Sequence, residues 1–190
     1  DEMLSKPGEE EVQRLLRNGP NAEGYELPRL EQVFWRIANS GVRMNFYLRL
    51  FDKTKGRMSD IPIHAAPEIE GRVRRLRHPL FHFGETDIHT KVEKVNGYSS
   101  GLVEEKISRG KHAYPLMMVV YPPFFFIRSF LFKRSFLNGW AGFIASCVSA
   151  FYVFLKYAKL YEYQQFERAD STTMPVGAPQ PPTRWRETAP

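Results

Sequence analysis

The sequence of 190 residues contains a single cysteine, Cys147, which lies inside an apolar segment. One thiol excludes an intrachain disulfide framework and favours a reducing compartment. Residues 1–11 are acidic where a secretory signal is basic and apolar, so they do not predict a signal peptide. Position 1 also lacks an initiator methionine, and we expect the chain to begin inside a longer protein.

Self-sufficient catalytic motifs are also missing. The sequence has no GxSxG elbow, HExxH pair, Walker loop or glycine-rich dinucleotide fingerprint. It has no aromatic RNA-binding motif, Cys/His zinc spacing or heptad array either. Taken by themselves, these absences leave an α+β chain whose chemistry must come from dispersed side chains.

The net charge of +6 fits either nucleic acid or an anionic membrane surface, so the placement of the charge decides. Basic residues flank the longest apolar run, with Lys133 and Arg134 before it and Lys156 and Lys159 after it. Each such charge contributes about 1 kcal/mol of attraction to an anionic leaflet. We therefore predict an anionic membrane surface as a partner and no nucleic acid, with a small nucleic-acid-binding protein as an alternative.

Residues 137–155 contain no charged side chain, and the preceding aromatic block, residues 121–132, is broken only by Arg128. Prolines at positions 115, 122 and 123 predict that the first stretch divides into two short interfacial pieces. Residues 138–164 lack proline and predict one helix, inserted in the plane of the membrane interface. A single membrane span and burial against protein remain open. The tail, residues 168–190, is rich in Pro, Ser and Thr and predicts disorder.

The N-terminal part alternates between helical and strand patterns. A short helix is predicted from Pro7 to stop signals at Gly19 and Pro20, and β-favouring segments follow near residues 24–30, 45–51, 69–76 and 80–83. A second helix is predicted from a cap at Thr86 to a stop at Gly110. These elements predict an α+β fold.

Five segments carry a resemblance to a known family. They read DEMLSKPGEEEVQRLLRNGPNAEGYELPR, YLRLFDKTKGR, IHAAPEIEGRVRRLRHPLFHFG, HTKVEKVNGYSSG and KRSFLNGWAGFIASCVSAFYVFLKYAKLYE. Together, over residues 1–164, they resemble the C-terminal half of a family 2 glycosyltransferase, in the branch of the lipopolysaccharide core glucosyltransferases. The resemblance implies the C-terminal part of a GT-A-like mixed α/β domain. It assigns residues 1–113 to the acceptor side of that domain and residues 114–167 to membrane-interface helices.

The resemblance also implies a metal site. The opening Asp1-Glu2 looks like the end of the family's Asp-x-Asp motif, which places Asp1 at the second aspartate. His82, within the segment LFHFG, matches a family histidine near the diphosphate. Asp1 and His82 are therefore expected to be ligands of Mg²⁺ or Mn²⁺, which would neutralise the departing phosphate.

The family often has His-Glu where this sequence has His64-Ala65, and alanine cannot act as a base. Asp60 and Glu68 are the expected substitutes, while His64 is expected to contact substrate. Arg49 alternates with apolar neighbours in YLRLF, which favours a side chain pointing into the cleft. The set Arg72, Arg74, Arg75 and Arg77 has two interpretations, a solvated basic face or contact with a phosphorylated glycolipid, and for the second we name Arg72 and Arg74.

The function implied by the resemblance is inverting transfer of a sugar, with glucose as the example. The donor would be a nucleotide sugar and the acceptor a lipid-linked saccharide such as a lipopolysaccharide core. The enzyme would be peripheral or monotopic at the cytoplasmic face of the inner membrane, and we expect these residues alone to be inactive. The competing hypothesis is a non-enzymatic adaptor that recruits a partner to the membrane interface.

Overall fold

The computed structural model describes residues 1–58 and 67–168, which form two compact units. The first unit ends at Thr86 and the second begins at Asp87. Strands dominate the first and helices the second, so the predicted α+β class is confirmed. The functional division at residue 113 stays a prediction.

The first unit is built on a curled sheet. Its strands are β1 (Glu2–Leu4), β2 (Gly24–Val33), β3 (Arg36–Ile37), β4 (Asn45–Phe51), β7 (Val73–Arg75) and β8 (Leu80–His82). The long strand β2 pairs with four of them, antiparallel with β3 and β4 and parallel with β7 and β8, and β1 pairs antiparallel with β8. Strands β5 (Gly56–Met58) and β6 (Pro67–Ile69) form a separate antiparallel pair.

Helix α1 (Lys6–Asn18) follows β1 directly and covers this sheet. Its start is fixed by Ser5, whose Oγ accepts a hydrogen bond from the Gly8 amide at 3.2 Å, and by Pro7 in the first turn. Apolar residues of the helix pack on the buried side chains of the sheet; the cluster comprises Val12, Leu15, Tyr25, Leu27, Leu50, Leu76 and Leu80. This burial, at roughly 25 cal/mol per Å² of apolar area, holds α1 against the sheet.

The second unit is helical. It contains α2 (Ile88–Ser108), α3 (Pro115–Ile127), a π-helical turn (Arg128–Phe132), a 3₁₀ turn (Ser135–Asn138) and α4 (Trp140–Arg168). The predicted cap at Thr86 is wrong by one residue, because the Asp87 carboxylate accepts the Thr90 amide hydrogen bond at 2.7 Å. A carboxylate at this position also interacts favourably with the helix dipole.

Two consecutive prolines, Pro122 and Pro123, do not divide the first apolar stretch as the sequence predicts. They lie inside α3, which runs to Ile127 and continues into the π-helical turn. The fixed φ of proline, near −65°, is compatible with a helix, so the chain continues although two backbone donors are lost.

Helices α3 and α4 form a hairpin whose contact face uses small residues. Gly142 is buried against the 3₁₀ turn, and a Cβ at this position would overlap the Ser135 carbonyl oxygen. Ser146 is also buried, and its Oγ lies 3.2 Å from the Ser129 Oγ of the π-helical turn. The glycine and serine residues that dilute the apolar run thus allow the two helical segments to approach closely.

Large apolar side chains cover the outside of this hairpin. Trp140 is 77% exposed, Phe132 71%, and Leu116 and Val119 are each 68% exposed. By length and composition, two helical segments among the described residues are able to cross a membrane, Pro115–Phe132 and Trp140–Arg168. A contiguous apolar surface of this kind marks a membrane or protein contact.

Candidate functional site

Three neighbouring strands place acidic and imidazole side chains at one edge of the first unit. The register aligns Glu2 of β1 with His82 of β8, and His82 in turn with Glu31 of β2. Arg29 lies two residues before Glu31 on the same strand, so the two side chains share a face. These residues form an ionic network that Arg49 completes from β4.

Glu2 and Arg49 form the tightest pair of the network. The Arg49 Nε donates to Glu2 Oε2 at 2.7 Å and its Nη2 donates to Glu2 Oε1 at 2.9 Å, which is a two-pronged contact. Arg49 is the extra residue of a β-bulge, because Leu48 and Leu50 pair with the adjacent residues 26 and 25 of β2. Bulges bend a strand and redirect a side chain, and here the redirected side chain reaches β1.

Arg29 links this pair to the rest of the network. Its Nη1 lies 3.3 Å from Glu2 Oε1, and its Nε donates to Glu31 Oε1 at 2.7 Å. The guanidinium carbon also lies 3.9 Å from the centre of the Tyr47 ring, while Nη2 donates to the Tyr47 hydroxyl at 3.0 Å. Glu2, Glu31 and the Tyr47 hydroxyl therefore hold Arg29 in one orientation.

The electrostatic effect of the pair is mutual. The hydrogen bonds from Arg49 hold the pKa of the Glu2 carboxyl below its ordinary value of 4.5, although partial burial opposes the shift. Glu2 in turn raises the pKa of Arg49. Both groups are therefore charged at neutral pH.

His82 bridges two carboxylates through its two ring nitrogens. Nδ1 is hydrogen bonded to Glu31 Oε2, and Nε2 lies 3.4 Å from Asp1 Oδ2. Gly84 makes room for this ring, because a Cβ at that position would overlap the imidazole. Glu31 thus fixes the ring so that Nε2 faces the exposed Asp1 carboxylate.

Asp1 and His82 fit a divalent cation in part. A carboxylate oxygen and an imidazole nitrogen stand together, and a second carboxylate holds the far ring nitrogen, which is the usual support for a histidine ligand. Residues 1–58 and 67–168 contain no group of three or more ligand side chains. Any Mg²⁺ or Mn²⁺ here would need water or substrate oxygens for its remaining positions, as such ions commonly do.

An open cleft of about 270 Å³ adjoins the network. Glu2 and Arg49 line it together with apolar side chains; these are Met3, Leu4, Val12, Leu27, Leu50 and Leu80. Charged groups beside an apolar wall suit a ligand that carries both polar and apolar surface.

The remaining predicted site residues lie elsewhere. Glu68 is on β6, exposed, and paired with Arg57 at 3.4 Å. Arg72 donates its backbone amide to Glu23 at 2.7 Å, and the side chain of Arg74 on β7 is exposed. None of these three joins the Glu2 network, and Asp60 and His64 lie outside the described residues.

Sequence reasoning missed Arg29, Glu31 and Tyr47 as members of the network. A signal for all three was present, since Arg29 and Glu31 alternate with apolar neighbours on one strand and Tyr47 alternates in the same way, with Arg49, on another. Their partners, however, are set by strand order and by the bulge, which period-2 patterning does not reveal.

The amino-acid sequence of this chain is similar to those of several known proteins. Over 165 residues the chain is 28% identical to a protein of Rhizobium meliloti (strain 1021) named lipopolysaccharide core biosynthesis glycosyltransferase LpsC. It is 25% identical over 175 residues to an uncharacterized glycosyltransferase of Rickettsia felis. Each alignment covers 85% of this chain but only 61% and 62% of the relative, respectively. The chain thus spans about three-fifths of the length of these relatives.

A shorter alignment, 30% identical over 93 residues, relates the chain to an uncharacterized glycosyltransferase of Rickettsia prowazekii and covers 49% of the chain. No family model and no solved structure matches the chain. The relatives give no support to the adaptor alternative. Over about 85% of its length, therefore, the chain is similar to curated proteins that are named glycosyltransferases.

Proposed function

We propose that the chain is the acceptor-side part of a membrane-docked inverting glycosyltransferase of family 2 with a GT-A fold. It takes part in moving a sugar, with glucose as the first candidate, from a nucleotide-sugar donor to a lipid-linked saccharide such as a lipopolysaccharide core. The observation that carries the proposal is the similarity to the relative named for lipopolysaccharide core biosynthesis, which extends over 85% of the chain.

The ionic network supplies groups that such a transfer uses. An acceptor hydroxyl attacks the anomeric carbon, the bond from that carbon to the diphosphate oxygen breaks, and a base takes the hydroxyl proton. Asp1 and His82 would hold Mg²⁺ or Mn²⁺, which when bound offsets the negative charge of the diphosphate. Glu31 orients His82, and Arg29 and Arg49 keep Glu2 ionised beside the cleft. The base remains a prediction, with Asp60 and Glu68 as its candidates.

The proposed location is the cytoplasmic face of the inner membrane, as a peripheral or monotopic protein, and the apolar hairpin supports the membrane contact in that proposal. Its exposed Trp, Phe and Leu side chains suit the boundary between headgroups and acyl chains. Docking there would raise the local concentration of a lipid-linked acceptor, because diffusion becomes two-dimensional and the reactants are held together.

The direct test is a transfer assay with the protein that carries this chain. Purified protein is mixed with radiolabelled UDP-glucose, Mn²⁺ and lipopolysaccharide core glycolipids, and labelled lipid is counted. Label in the glycolipid that depends on protein and on an intact Arg49 would support the proposal. Binding of the glycolipid without transfer from any of a panel of sugar nucleotides would overturn it.

A further inference from the structure

Two lysines from different helices meet at one aromatic ring in the second unit. The ammonium of Lys156 on α4 lies 4.5 Å from the centre of the Tyr157 ring, and that of Lys106 on α2 lies 6.0 Å from it. The ring of Tyr121 on α3 packs against the same ring, tilted by 33°, with the two ring centres 5.1 Å apart. All three helices therefore converge on Tyr157.

These two ammonium groups have no carboxylate partner in the part of the chain that the structure describes. Lys156 is half-buried, and burial lowers its pKa, with the charge of Lys106 acting in the same direction. An anion bound beside both ammonium groups would offset the burial of Lys156 and the repulsion between the two like charges. The pair thus has the electrostatics of an anion site.

Lys159, three residues further along α4, is used differently. Its ammonium contacts four oxygen atoms on α2 at 2.7 to 2.8 Å, which belong to Asn96, Ser99 and Ser100. These contacts fasten α4 to α2. From the sequence, both Lys156 and Lys159 are predicted to face the membrane. In the structure, Lys159 instead binds oxygen atoms of α2.

The surroundings of the pair indicate which anion it binds. Along α4, Lys156 lies within one turn of Phe154, which is the last exposed large apolar side chain of this helix among the described residues, so the lysine marks the end of the exposed apolar part of the helix. Exposed Phe151 and Val120 extend the apolar surface along the same hairpin. A cationic pair beside such a surface suits a lipid phosphate, whose acyl chains contact the apolar side while the headgroup meets the charges.

We propose that Lys106 and Lys156, which meet over Tyr157, form a binding site for the phosphate of an anionic phospholipid headgroup. The proposal rests on the membrane docking proposed above and adds a defined headgroup site to it. Two ammonium groups supply the charge, and the hairpin that carries Lys156 inserts into the leaflet.

The test measures vesicle binding by flotation, with the full chain and two kinds of vesicle. One kind is phosphatidylcholine alone, and the other also contains phosphatidylglycerol. We expect wild type to bind the anionic vesicles more tightly than the neutral ones. In the variant Lys106→Gln/Lys156→Gln, the ratio of the two affinities should fall by about 30-fold. This follows from about 1 kcal/mol per lysine near an anionic surface, with 1.4 kcal/mol for each factor of ten.

Matched variants distinguish binding at a specific site from attraction by the net charge alone. Lys53→Gln/Lys111→Gln removes the same charge from exposed positions and should keep most of the preference. Lys106→Arg/Lys156→Arg should also keep it, and circular dichroism checks that every variant retains its helices.

The outcomes distinguish this proposal from docking itself. Loss of the preference in the glutamine variant, with binding to neutral vesicles retained, supports the headgroup site. An equal loss in the Lys53/Lys111 variant, or an unchanged preference in the glutamine variant, overturns the site and leaves docking intact. If wild type binds neither kind of vesicle, docking fails, and the headgroup site fails with it.

Discussion

At the scale of single residues, the site depends on the shape of arginine as much as on its charge. Arg49 contacts both oxygens of Glu2 from a β-bulge, with Nε and Nη2 in a planar fork. Lysine keeps the charge but loses one prong and the rigid geometry. A substitution of Arg49 by lysine therefore tests whether the two hydrogen bonds to Glu2 are required, or only the positive charge.

We expect Arg49→Lys to lower the transfer rate by about tenfold to a hundredfold, since hydrogen bonds between charged groups contribute roughly 1.5 to 3 kcal/mol. The measurement is kcat/KM with the glycolipid acceptor. Arg17→Lys, the same change at an exposed position of α1, serves as the control and should behave as wild type. Equal activities for both variants would show that the fork is not needed.

Gly84 offers a second test at this scale, because its substitution changes geometry without removing a charge. Alanine there forces the imidazole of His82 to shift, which disturbs its contacts with Glu31 and Asp1. A displacement of about 1 Å in a catalytic arrangement costs on the order of a hundredfold in rate. We therefore expect Gly84→Ala to lose activity and to shift the His82 ring signals in NMR spectra.

Gly97→Ala is the matched control, since Gly97 lies in α2 with open space around its Cβ position. This variant should keep full activity and unshifted His82 signals. Full activity in Gly84→Ala as well would mean that the position of His82 does not matter for transfer.

At the scale of elements, the Glu2 contacts tie the short strand β1 to β4, with which it has no backbone pairing. The pKa of Glu2 is lowered in the folded protein, so the unfolded chain binds the proton more tightly. The stabilisation is therefore present above the ordinary value of 4.5 and is lost as the pH falls through the lower folded value.

This linkage predicts that the free energy of unfolding falls more steeply with acid in wild type than in Glu2→Gln. Denaturant titrations from neutral pH down through the acid range measure the two slopes. Glutamine keeps the shape of the side chain but does not titrate, so its curve isolates the contribution of Glu2. Parallel curves would show that the pair contributes nothing to stability.

The helical hairpin depends on a close approach at Gly142. Its neighbour is a backbone carbonyl, that of Ser135, which cannot rotate away as a side chain can. We expect Gly142→Ala to destabilise the second unit by about 1 to 3 kcal/mol, the usual range for overpacking. Thermal unfolding in detergent micelles measures this loss.

Gly101→Ala in α2 provides the comparison, because, apart from the local backbone of its own helix, no described atom lies within 4 Å of its Cβ position. Alanine there should leave stability unchanged or raise it slightly, as helix propensity predicts. A similar loss in both variants would point to a general intolerance of alanine and not to the hairpin contact.

At the scale of the whole molecule, local patterns in the sequence predicted the elements better than their partners. The predicted helix ending before Gly19, the strand over residues 45–51 and the second helix are all present in the structure. Capping chemistry and period-2 alternation are local, so sequence reasoning recovers them. The prolines at 122 and 123 misled it, because a local rule for helix breaking does not include packing against α4.

The candidate site shows the same limit. The resemblance named Asp1 and His82, strand alternation named Arg49, and the structure brings all three into one network. Sequence reasoning did not supply Arg29, Glu31 or Tyr47, because strand order and a bulge determine which side chains meet. Which acid removes the acceptor proton stays a prediction.

The central claim, that this chain belongs to a protein that adds a sugar to a lipid-linked saccharide, is tested most directly in cells. Mass spectrometry would compare lipopolysaccharide core from wild-type cells with core from cells in which the encoding gene is deleted. We predict a core that is shorter by one sugar and any sugars attached to it, restored by the wild-type gene but not by Arg49→Lys. An unchanged core and unchanged lipid-linked saccharides in the deletion strain would contradict the claim.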